Sequence, residues 1–423
     1  MLLPLLGFGR SDTITMSGSP ENRNLTIDPA SGFVAVDAGQ IVRGMNQNAA
    51  VSHVWLERML VQTVLRGRLN DRMEIVISPE CQMSFSYPKE KNLYATLLPL
   101  YSFYLNQASG EYCFGAIKDP WLRIGAGLFP YKYNPDARNL GEYLFRTGTY
   151  PAYILNNFDQ PSSRLLGLRA HSDLARHRLS MDLFLTSEFE FYPMEDFSLA
   201  FLVGYNLWNY LDLGAGVDFS HLISVDKKLT TPHTYPNFYF NTPQDSIAED
   251  TSWYTFRGTK IVARLTIDPK GGRHGHLFGS EDLKIYGEIA VIGVENQGPV
   301  YAEINERMPW MLGFNVPAFN LLDVLAVEAE YFNTPYYNDY NSVFKEMIPQ
   351  PYIYGGTEKQ AESDKWKWSV YAKKTVAGGL KIIAQAARDH MRVISHDYAR
   401  QDQREALPTN GDWAYTLRVQ FAF

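Results

Sequence analysis

Long hydrophobic runs, cysteines and basic charge are all scarce in this chain of 423 residues. No stretch approaches the roughly 18 consecutive apolar residues of a membrane-spanning helix, which excludes a helical membrane protein. The two cysteines, Cys81 and Cys113, allow at most one disulfide, so a cysteine-rich scaffold is excluded. The net charge of −7 argues against a nucleic-acid partner.

Signatures of catalysis are equally sparse. The chain has no G-x-S-x-G motif, no phosphate-binding loop and no H-E-x-x-H motif. His171 and His177 flank a polar turn, an arrangement that would matter only in a membrane-embedded hydrolase. His274 and His276 lack a third ligand for a metal ion. We therefore predict neither an enzyme nor a metal or cofactor site.

Aromatic residues and alternating strands are abundant instead. Phe, Trp and Tyr make up 14% of the chain, a share typical of the girdles that membrane proteins place among lipid headgroups. The mean hydropathy is −0.25, which suits a β-barrel with a polar lumen. The clearest alternation is the last stretch, Trp413 to Phe423, where every second residue is apolar and Thr416, Arg418 and Gln420 face the other way.

Similar alternation recurs along the chain and predicts about 16 β-strands, within a range of about 14 to 18. The predicted fold class is all-β, a transmembrane antiparallel up-and-down β-barrel with short periplasmic turns and long extracellular loops. We expect residues 1–32 to form a residual signal or periplasmic lead-in and residues 33–423 to form a single barrel. The candidate strands span residues 33–43, 54–66, 72–84, 94–105, 111–128, 164–171, 178–191, 197–206, 210–219, 254–268, 283–294, 308–316, 322–331, 366–374, 380–393 and 413–423.

Loop lengths favour the same fold. Counted back from the C-terminus, long connections such as 334–365 and 394–411 alternate with short ones such as 375–379. The short outer connection at 192–196 and the long inner one at 269–281 break this rule. The alternative, a soluble all-β protein of two sandwiches, would need an apolar filling that these charged strand faces do not supply.

Two stretches resemble proteins of the Gram-negative outer membrane. The terminal WAYTLRVQFAF resembles the C-terminal signature of outer-membrane β-barrels, which commonly end on phenylalanine. The run LRIGAGLFPYKYNP resembles the strand-then-loop motif of several porin-like families, and residues 131–162 occupy a position that resembles the constriction loop of general porins. The resemblance implies an outer-membrane location with periplasmic termini, contact with membrane lipid, and recognition of Trp413–Phe423 by the barrel-assembly machinery. The resemblance is compatible with a homo-oligomer and does not decide the oligomeric state.

Charged residues on the polar faces are predicted to line the lumen. They sort by sign into basic and acidic walls that would set up a transverse field selecting among solutes. The alternative is that these charges solvate the lumen and pair with one another. The basic candidates are Arg58, Arg66, Arg123, Lys260, Arg264, Lys284, Lys367, Lys373, Lys381 and Arg418, and the acidic candidates are Asp182, Glu188, Glu190, Asp218, Glu328 and Glu330.

Residues 131–162 interrupt the alternation with glycine, proline and asparagine, and we expect a single helical turn at 140–145. The porin resemblance implies a segment that folds inward and narrows the pore. The alternative is a surface loop packed over a neighbouring strand. By that resemblance the constriction candidates are Lys132, Asp136, Arg138, Glu142 and Arg146.

These observations predict a porin-like channel for passive diffusion of small hydrophilic solutes or ions, working without a cofactor. The second hypothesis is a plugged outer-membrane barrel that serves adhesion, scaffolding or uptake of an apolar ligand.

Overall fold

The structure is a computed structural model in which the alternating segments pair into one sheet. It describes residues 26–46, 49–87, 100–116, 118–146, 163–175, 177–189, 195–226, 233–234, 253–254, 256–271, 277–294, 303–334, 364–391 and 405–423. Its strands are β1 (Thr26–Ile27), β2 (Ser31–Asn46), β3 (Ala49–Asn70), β4 (Met73–Tyr87), β5 (Leu100–Ala116), β6 (Asp119–Tyr131), β7 (Ser163–Leu174), β8 (Leu179–Ser187), β9 (Phe197–Leu207), β10 (Leu211–Ile223), β11 (His233–Thr234), β12 (Trp253–Tyr254), β13 (Gly258–Ile267), β14 (Ile285–Ile292), β15 (Trp310–Asn315), β16 (Val324–Tyr331), β17 (Trp366–Thr375), β18 (Leu380–Arg388) and β19 (Trp413–Ala422). A short α-helix, α1, spans Tyr143–Arg146, and two 3₁₀ turns span Ile304–Arg307 and Ala377–Gly379.

Sixteen of the described strands, β2–β10 and β13–β19, form a closed antiparallel barrel, which confirms the predicted fold class and strand number. Each barrel strand pairs with its neighbours in the chain, and β19 returns to pair with β2. Phe423 and Gly32 exchange backbone hydrogen bonds of 2.9 and 3.0 Å at this seam. Closure leaves no edge strand, so the strands pair their backbone polar groups within the sheet.

The outer surface of the barrel is apolar. Residues such as Val327 and Leu417 point outward from mid-strand and are 43% and 46% exposed. Exposed aromatic side chains lie near both rims, including Trp121 and Trp208 at the short-turn end and Phe103 and Trp366 at the other. This distribution is the one expected where a hydrocarbon layer lies between two interfaces.

No helix among the described residues has the length and apolar character needed to cross a membrane.

Connections alternate in length around the barrel. The described chain enters at the short-turn end, where Phe423 also lies, and this end carries the turns at 71–72 and 208–210 and the two-residue connection between β5 and β6. The opposite end carries the longer connections, such as 332–365 and 389–412, except for the two-residue connection between β2 and β3, which the sequence did not predict. The two exceptions expected from the sequence, near 192–196 and 269–281, occur where predicted.

One predicted hairpin is wrong. The run from Asn106 to Gly110 was expected to separate two strands, but it lies inside β5, with Gly110 opposite Ile75 on one side and Ala126 on the other. The chain reverses between Ala116 and Asp119 instead, after a register shift at Gly115, whose φ of 97° suits glycine. Pro120 stands at the start of β6, where it disturbs little of the strand ladder.

The first barrel strand begins two residues earlier than predicted, at Ser31. Within residues 1–32, Thr26 and Ile27 pair with Arg68 and Gly67 of β3, and β2 begins at Ser31. Residues 1–25 lie outside the described residues.

Candidate functional site

Residues 132–146, hereafter the inward segment, lie within the barrel. Tyr133, Leu140, Tyr143 and Leu144 are buried and belong to one apolar cluster with inward-facing side chains of the wall. The wall side chains of that cluster come from β6–β9 and β13–β15, together with Phe332 at the end of β16. The predicted helical turn is present as α1, a few residues later than expected. The segment therefore packs inside the barrel and is not a loop draped over its outer surface.

A wall carboxylate fixes the first half of the inward segment. The Glu328 side chain accepts hydrogen bonds from the backbone N–H groups of Arg138, Asn139 and Leu140 at 2.5, 2.8 and 2.9 Å. The Tyr286 hydroxyl donates to the same carboxylate at 2.8 Å. Because hydrogen bonds to a charged group contribute about 1.5–3 kcal/mol each, this contact is a principal anchor of the segment.

Two more wall carboxylates fix the second half. Glu288 accepts from the backbone N–H groups of Glu142 and Tyr143 at 2.9 and 2.8 Å, and Glu330 accepts from the Tyr143 hydroxyl at 2.9 Å. Gly141 and Glu142 both have positive φ, 83° and 64°, which turns successive N–H groups toward one side. A Cβ on Gly141 would lie 2.7 Å from Met311 Cε, so glycine suits both the backbone and the space here.

The five constriction candidates have different environments. Lys132 donates to the backbone carbonyl of Ala137, and Glu142 accepts from the backbone N–H groups of Tyr133 and Asn134, so both stabilise the segment itself. The Arg146 side chain lies outside the described residues. The other two, Asp136 and Arg138, reach the barrel wall.

Asp136 and Arg138 form ion pairs at the short-turn side of the segment. Asp136 lies 3.2 Å from Lys284 Nζ and accepts from the Thr266 hydroxyl at 2.8 Å. Burial opposes ionisation of Asp136, but Lys284 and Thr266 outweigh it and lower the pKa of the carboxyl. Arg138 pairs with Glu281 at 2.6 Å.

A triplet of charges spans the seam that closes the barrel. Asp37 of β2 lies directly opposite Arg418 of β19 on one side and Arg58 of β3 on the other. Arg418 donates to both carboxylate oxygens of Asp37, at 2.5 and 2.7 Å, and Arg58 donates at 2.6 and 2.9 Å. These two predicted pore-lining cations thus share one carboxylate, and Asp37 was not among the candidates.

Other predicted lumen cations are also paired. Lys260 lies 3.5 Å from Asp218, and Arg264 lies 2.5 Å from Asp212. Arg123 lies 3.7 Å from Asp173, Lys284 pairs with Asp136 and Glu281, and the exposed Arg66 lies 3.1 Å from Glu74. Lys373 and Lys381 have no ion-pair partner among the described residues. The contacts thus favour the alternative in which lumen charges pair with one another.

Two acidic candidates, Asp182 of β8 and Asp218 of β10, are paired too. Asp182 accepts from Arg169 at 2.8 Å and lies 2.9 Å from His171. Glu188 lies just beyond β8, where its side chain accepts from the Phe189 backbone N–H at 3.0 Å. Glu190 lies outside the described residues.

A second buried network lies at the long-loop end, and sequence reasoning found only Lys367 and Glu330 of it. Lys367 pairs with Asp364 at 2.5 Å and with Glu405 at 2.6 Å, and Arg388 pairs with Asp364 at 3.1 Å. His390 bridges Glu330, at 2.5 Å, and Glu405.

Titration in this network follows its geometry. Burial alone would lower the pKa of His390, but Glu405 and Glu330 outweigh it and raise the pKa to about 10. Burial raises the pKa of Asp364 to about 7 despite the nearby Lys367. Protonated His390 therefore ties the 389–412 loop to β16, and the same Glu330 holds Tyr143 of the inward segment.

The sequence neighbours of the histidine turn do not assemble into a catalytic group. His171 faces Asp182 and Asp173, whereas the Ser172 hydroxyl donates to the backbone carbonyl of Trp121 at 2.7 Å. No cluster among the described residues has the three metal-binding side chains of a metal site, and His274 and His276 fall outside those residues.

Comparisons with known proteins find likeness only in structure. No protein-family model and no curated protein matches the chain. A mutant porin of Rhodopseudomonas blastica is similar over 94% of this chain and 100% of its own, with 7% identity and a TM-score of 0.45. OprB of Pseudomonas putida at high pH is similar over 94% of both chains, with 10% identity and a TM-score of 0.48. The closed barrel is established by the pairing of the strands in this chain and does not depend on these similarities.

Proposed function

We propose that this chain is an outer-membrane channel through which small hydrophilic solutes or ions diffuse passively, without a cofactor. One observation carries the proposal: a charged segment is docked inside a closed barrel whose outer face is apolar. An apolar outer face suits lipid, and a segment held against one side of the wall suits a lumen that is narrowed.

The contacts described above for the inward segment lie along one side of the barrel wall. The segment packs against the arc from β6 through β16, while the wall from β19 through β2 to β5 carries polar side chains paired within that wall. On that side Gln62 bonds to Ser78 at 2.8 Å and Asn106 bonds to Glu80 at 2.5 Å. Solutes would pass between these polar side chains and the inward segment.

The placement in a Gram-negative outer membrane belongs to the proposal. The described chain enters and leaves at the short-turn end, which in this orientation faces the periplasm, and the long loops face outward. The strand Trp413–Phe423 would be recognised by the barrel-assembly machinery before it pairs with β2. Assembly into a homo-oligomer is compatible with the apolar outer face.

Single-channel conductance in a planar bilayer tests the proposal. Deletion of residues 134–160 removes the segment and leaves Lys132, Tyr133, Pro161 and Ser162 between β6 and β7. Because Tyr131 and Ser163 are directly paired, a connection of this length can close the hairpin. We expect steady conductance in the native protein and a larger conductance after deletion.

Absence of conductance in both forms would refute the channel, provided that both migrate as folded barrels. Equal conductance in both forms would refute the constriction and leave the channel standing.

A further inference from the structure

The long connection at the short-turn end is the exception that the channel does not account for. Every other short-turn connection is brief, yet residues 268–284 form an extended loop between β13 and β14. Its described part is well anchored: Asp282 is buried and accepts from the backbone N–H groups of Gly279 and Ala318 at 2.9 and 3.2 Å. The side chain of Asn315 donates to the Glu281 carbonyl at 3.0 Å.

This loop forms one wall of a partly open cavity of about 750 Å³. The inward segment forms a second wall through Asp136 and Arg138, and the 316–323 turn and β17 form the rest. Phe278 and Leu322 add apolar side chains to the lining of the cavity. A volume of this size lies within the range of small-molecule sites, which are typically about 300–1,000 Å³.

Each carboxylate of the cavity already has partners in the protein. Both oxygens of Asp136 have partners, in Thr266 and Lys284, and both oxygens of Glu281 have partners, in Lys284 and Arg138. Asp323 accepts from the Thr375 backbone N–H at 2.7 Å and lies 3.9 Å from Lys374. Each of these negative charges is thus balanced by a donor or a cation of the protein.

One cation in the cavity is uncommitted. Lys373 lies on the same face of β17 as the inward-facing Lys367, Ser369 and Tyr371. It lines the cavity and has no ion-pair partner among the described residues. Arg138 and Lys284, by contrast, are neutralised by their carboxylates. Lys373 is therefore the lining cation without an ion-pair partner among the described residues, and it shares the cavity with the apolar side chains of Phe278 and Leu322.

We propose that this cavity is a binding site for a small solute that carries a carboxylate, with Lys373 pairing with the carboxylate and Phe278 and Leu322 contacting the carbon part. The inference deepens the proposed function and rests on it for the route by which the solute reaches the site. A charge-assisted hydrogen bond from Lys373 supplies the selectivity between anionic, neutral and cationic solutes of one size.

Ligand binding to the folded barrel in detergent tests the proposal without any current. Saturation-transfer NMR would compare glycolate, ethylene glycol and ethanolamine, which are similar in size and differ in charge. We expect glycolate to bind with a measurable dissociation constant and the other two to bind at least about tenfold more weakly. Equal binding of all three, or none of glycolate, would overturn the proposal.

Substitutions locate the binding. Lys373→Gln is expected to weaken glycolate binding about tenfold or more, and Lys373→Arg to retain most of it. Lys118→Gln makes the same change in net charge at the β5–β6 turn, on the opposite side of the barrel, and is expected to leave binding unchanged. If Lys373→Gln binds glycolate as the native protein does, Lys373 is not the site.

The channel and the binding site fail separately. Glycolate binding in detergent without conductance would refute the channel and support the site, whereas conductance without glycolate binding would refute the site alone.

Discussion

Asp37 holds two arginines across the seam where the last barrel strand meets the first. Its carboxylate accepts four hydrogen bonds, two from Arg58 and two from Arg418, and it is buried between them. With Asp37 absent, the guanidinium groups of Arg58 and Arg418 would lose the carboxylate that they share across β2. Removing one member of a buried ion pair typically destabilises a protein by about 3–5 kcal/mol.

Asp37→Asn is therefore expected to lower the free energy of unfolding by about 3 kcal/mol, measured by urea titration of the barrel in lipid vesicles. Asp28→Asn is the matched control, because Asp28 lies 3.5 Å from Arg68 and both side chains are well exposed. The control should change the free energy of unfolding by less than about 1 kcal/mol. Equal losses in the two variants would show that the triplet adds nothing beyond an exposed pair.

His390 makes the stability of the long-loop end depend on pH. Its pKa rises from 6.5 to about 10 in the fold, where Glu330 and Glu405 contact the ring and Lys367 and Arg388 complete the network. A raised pKa means that protonated His390 stabilises the fold fully below about pH 6.5 and that this stability is lost as the pH rises toward 10.

The difference in unfolding free energy between the native protein and His390→Gln should accordingly shrink as the pH rises from about 6.5 to about 10. Urea titrations across this range measure it. His177→Gln, which changes an exposed histidine, should follow the native profile. A difference that stays constant with pH would contradict the predicted protonation of His390.

Charge pairing is the part of the site that sequence reasoning could not supply. Alternation placed Arg58, Arg418 and Lys260 on the polar faces of their strands, since parity within a strand needs no partner. Which carboxylate each one meets depends on the register between strands, and register is set by turns and bulges that alternation does not reveal. Asp212 could have been found, because it shares its face of β10 with the candidate Asp218.

At the scale of elements, Glu328 shows how the wall positions the inward segment. Its two oxygens accept from three backbone N–H groups and one tyrosine hydroxyl. In a glutamine of equal size, an NH₂ group would replace one of these oxygens and would face N–H or O–H donors without an acceptor. Glu328→Gln is expected to lower the hydrogen-exchange protection of the amides at 138–140 by roughly tenfold or more, measured by mass spectrometry. Local opening of the segment is the physical cause.

The control for this experiment is Glu74→Gln, which removes the same charge at an exposed pair near the barrel rim. Exchange at 138–140 should match the native protein in that variant. Unchanged protection in Glu328→Gln would mean that the segment does not need the Glu328 charge, because Glu288 and the apolar packing of Leu140 and Tyr143 hold it.

The misplaced hairpin in β5 has a physical reason. Asn106, Ser109 and Gly110 belong to residue types that favour turns, but polar and small residues also suit the inner face of a barrel strand. The real turn follows Gly115, whose positive φ accompanies the bulge there. Turns and the lumen-facing positions of strands contain the same residue types, so composition alone cannot distinguish a turn from a strand here.

The fold of the whole molecule was predictable because closure and membrane burial impose the same rule on every strand. One apolar and one polar face recur in all parts of the barrel, so an error in one hairpin leaves the count of sixteen strands intact. The contacts that fill the lumen were harder to predict from the sequence, because they join residues more than a hundred positions apart, such as Glu328 and Arg138.

The apolar outer face yields the prediction that separates a membrane barrel from a soluble one. Val327 lies mid-strand in β16, points outward, and is flanked across the ladder by Phe314 and Val370, which are exposed as well. Val327→Arg is expected to lower the free energy of unfolding in lipid vesicles by about 2–4 kcal/mol, because the guanidinium would enter hydrocarbon.

Leu321→Arg is the matched control, since Leu321 is 76% exposed in the turn at the strand ends, where headgroups and water would surround an arginine. That variant should cost no more than about 1 kcal/mol. The difference between the two variants reports whether hydrocarbon surrounds the outer face at Val327. If Val327→Arg is as stable as Leu321→Arg, the outer face of the barrel contacts water. The barrel would then not span a membrane, and the proposed channel would be refuted.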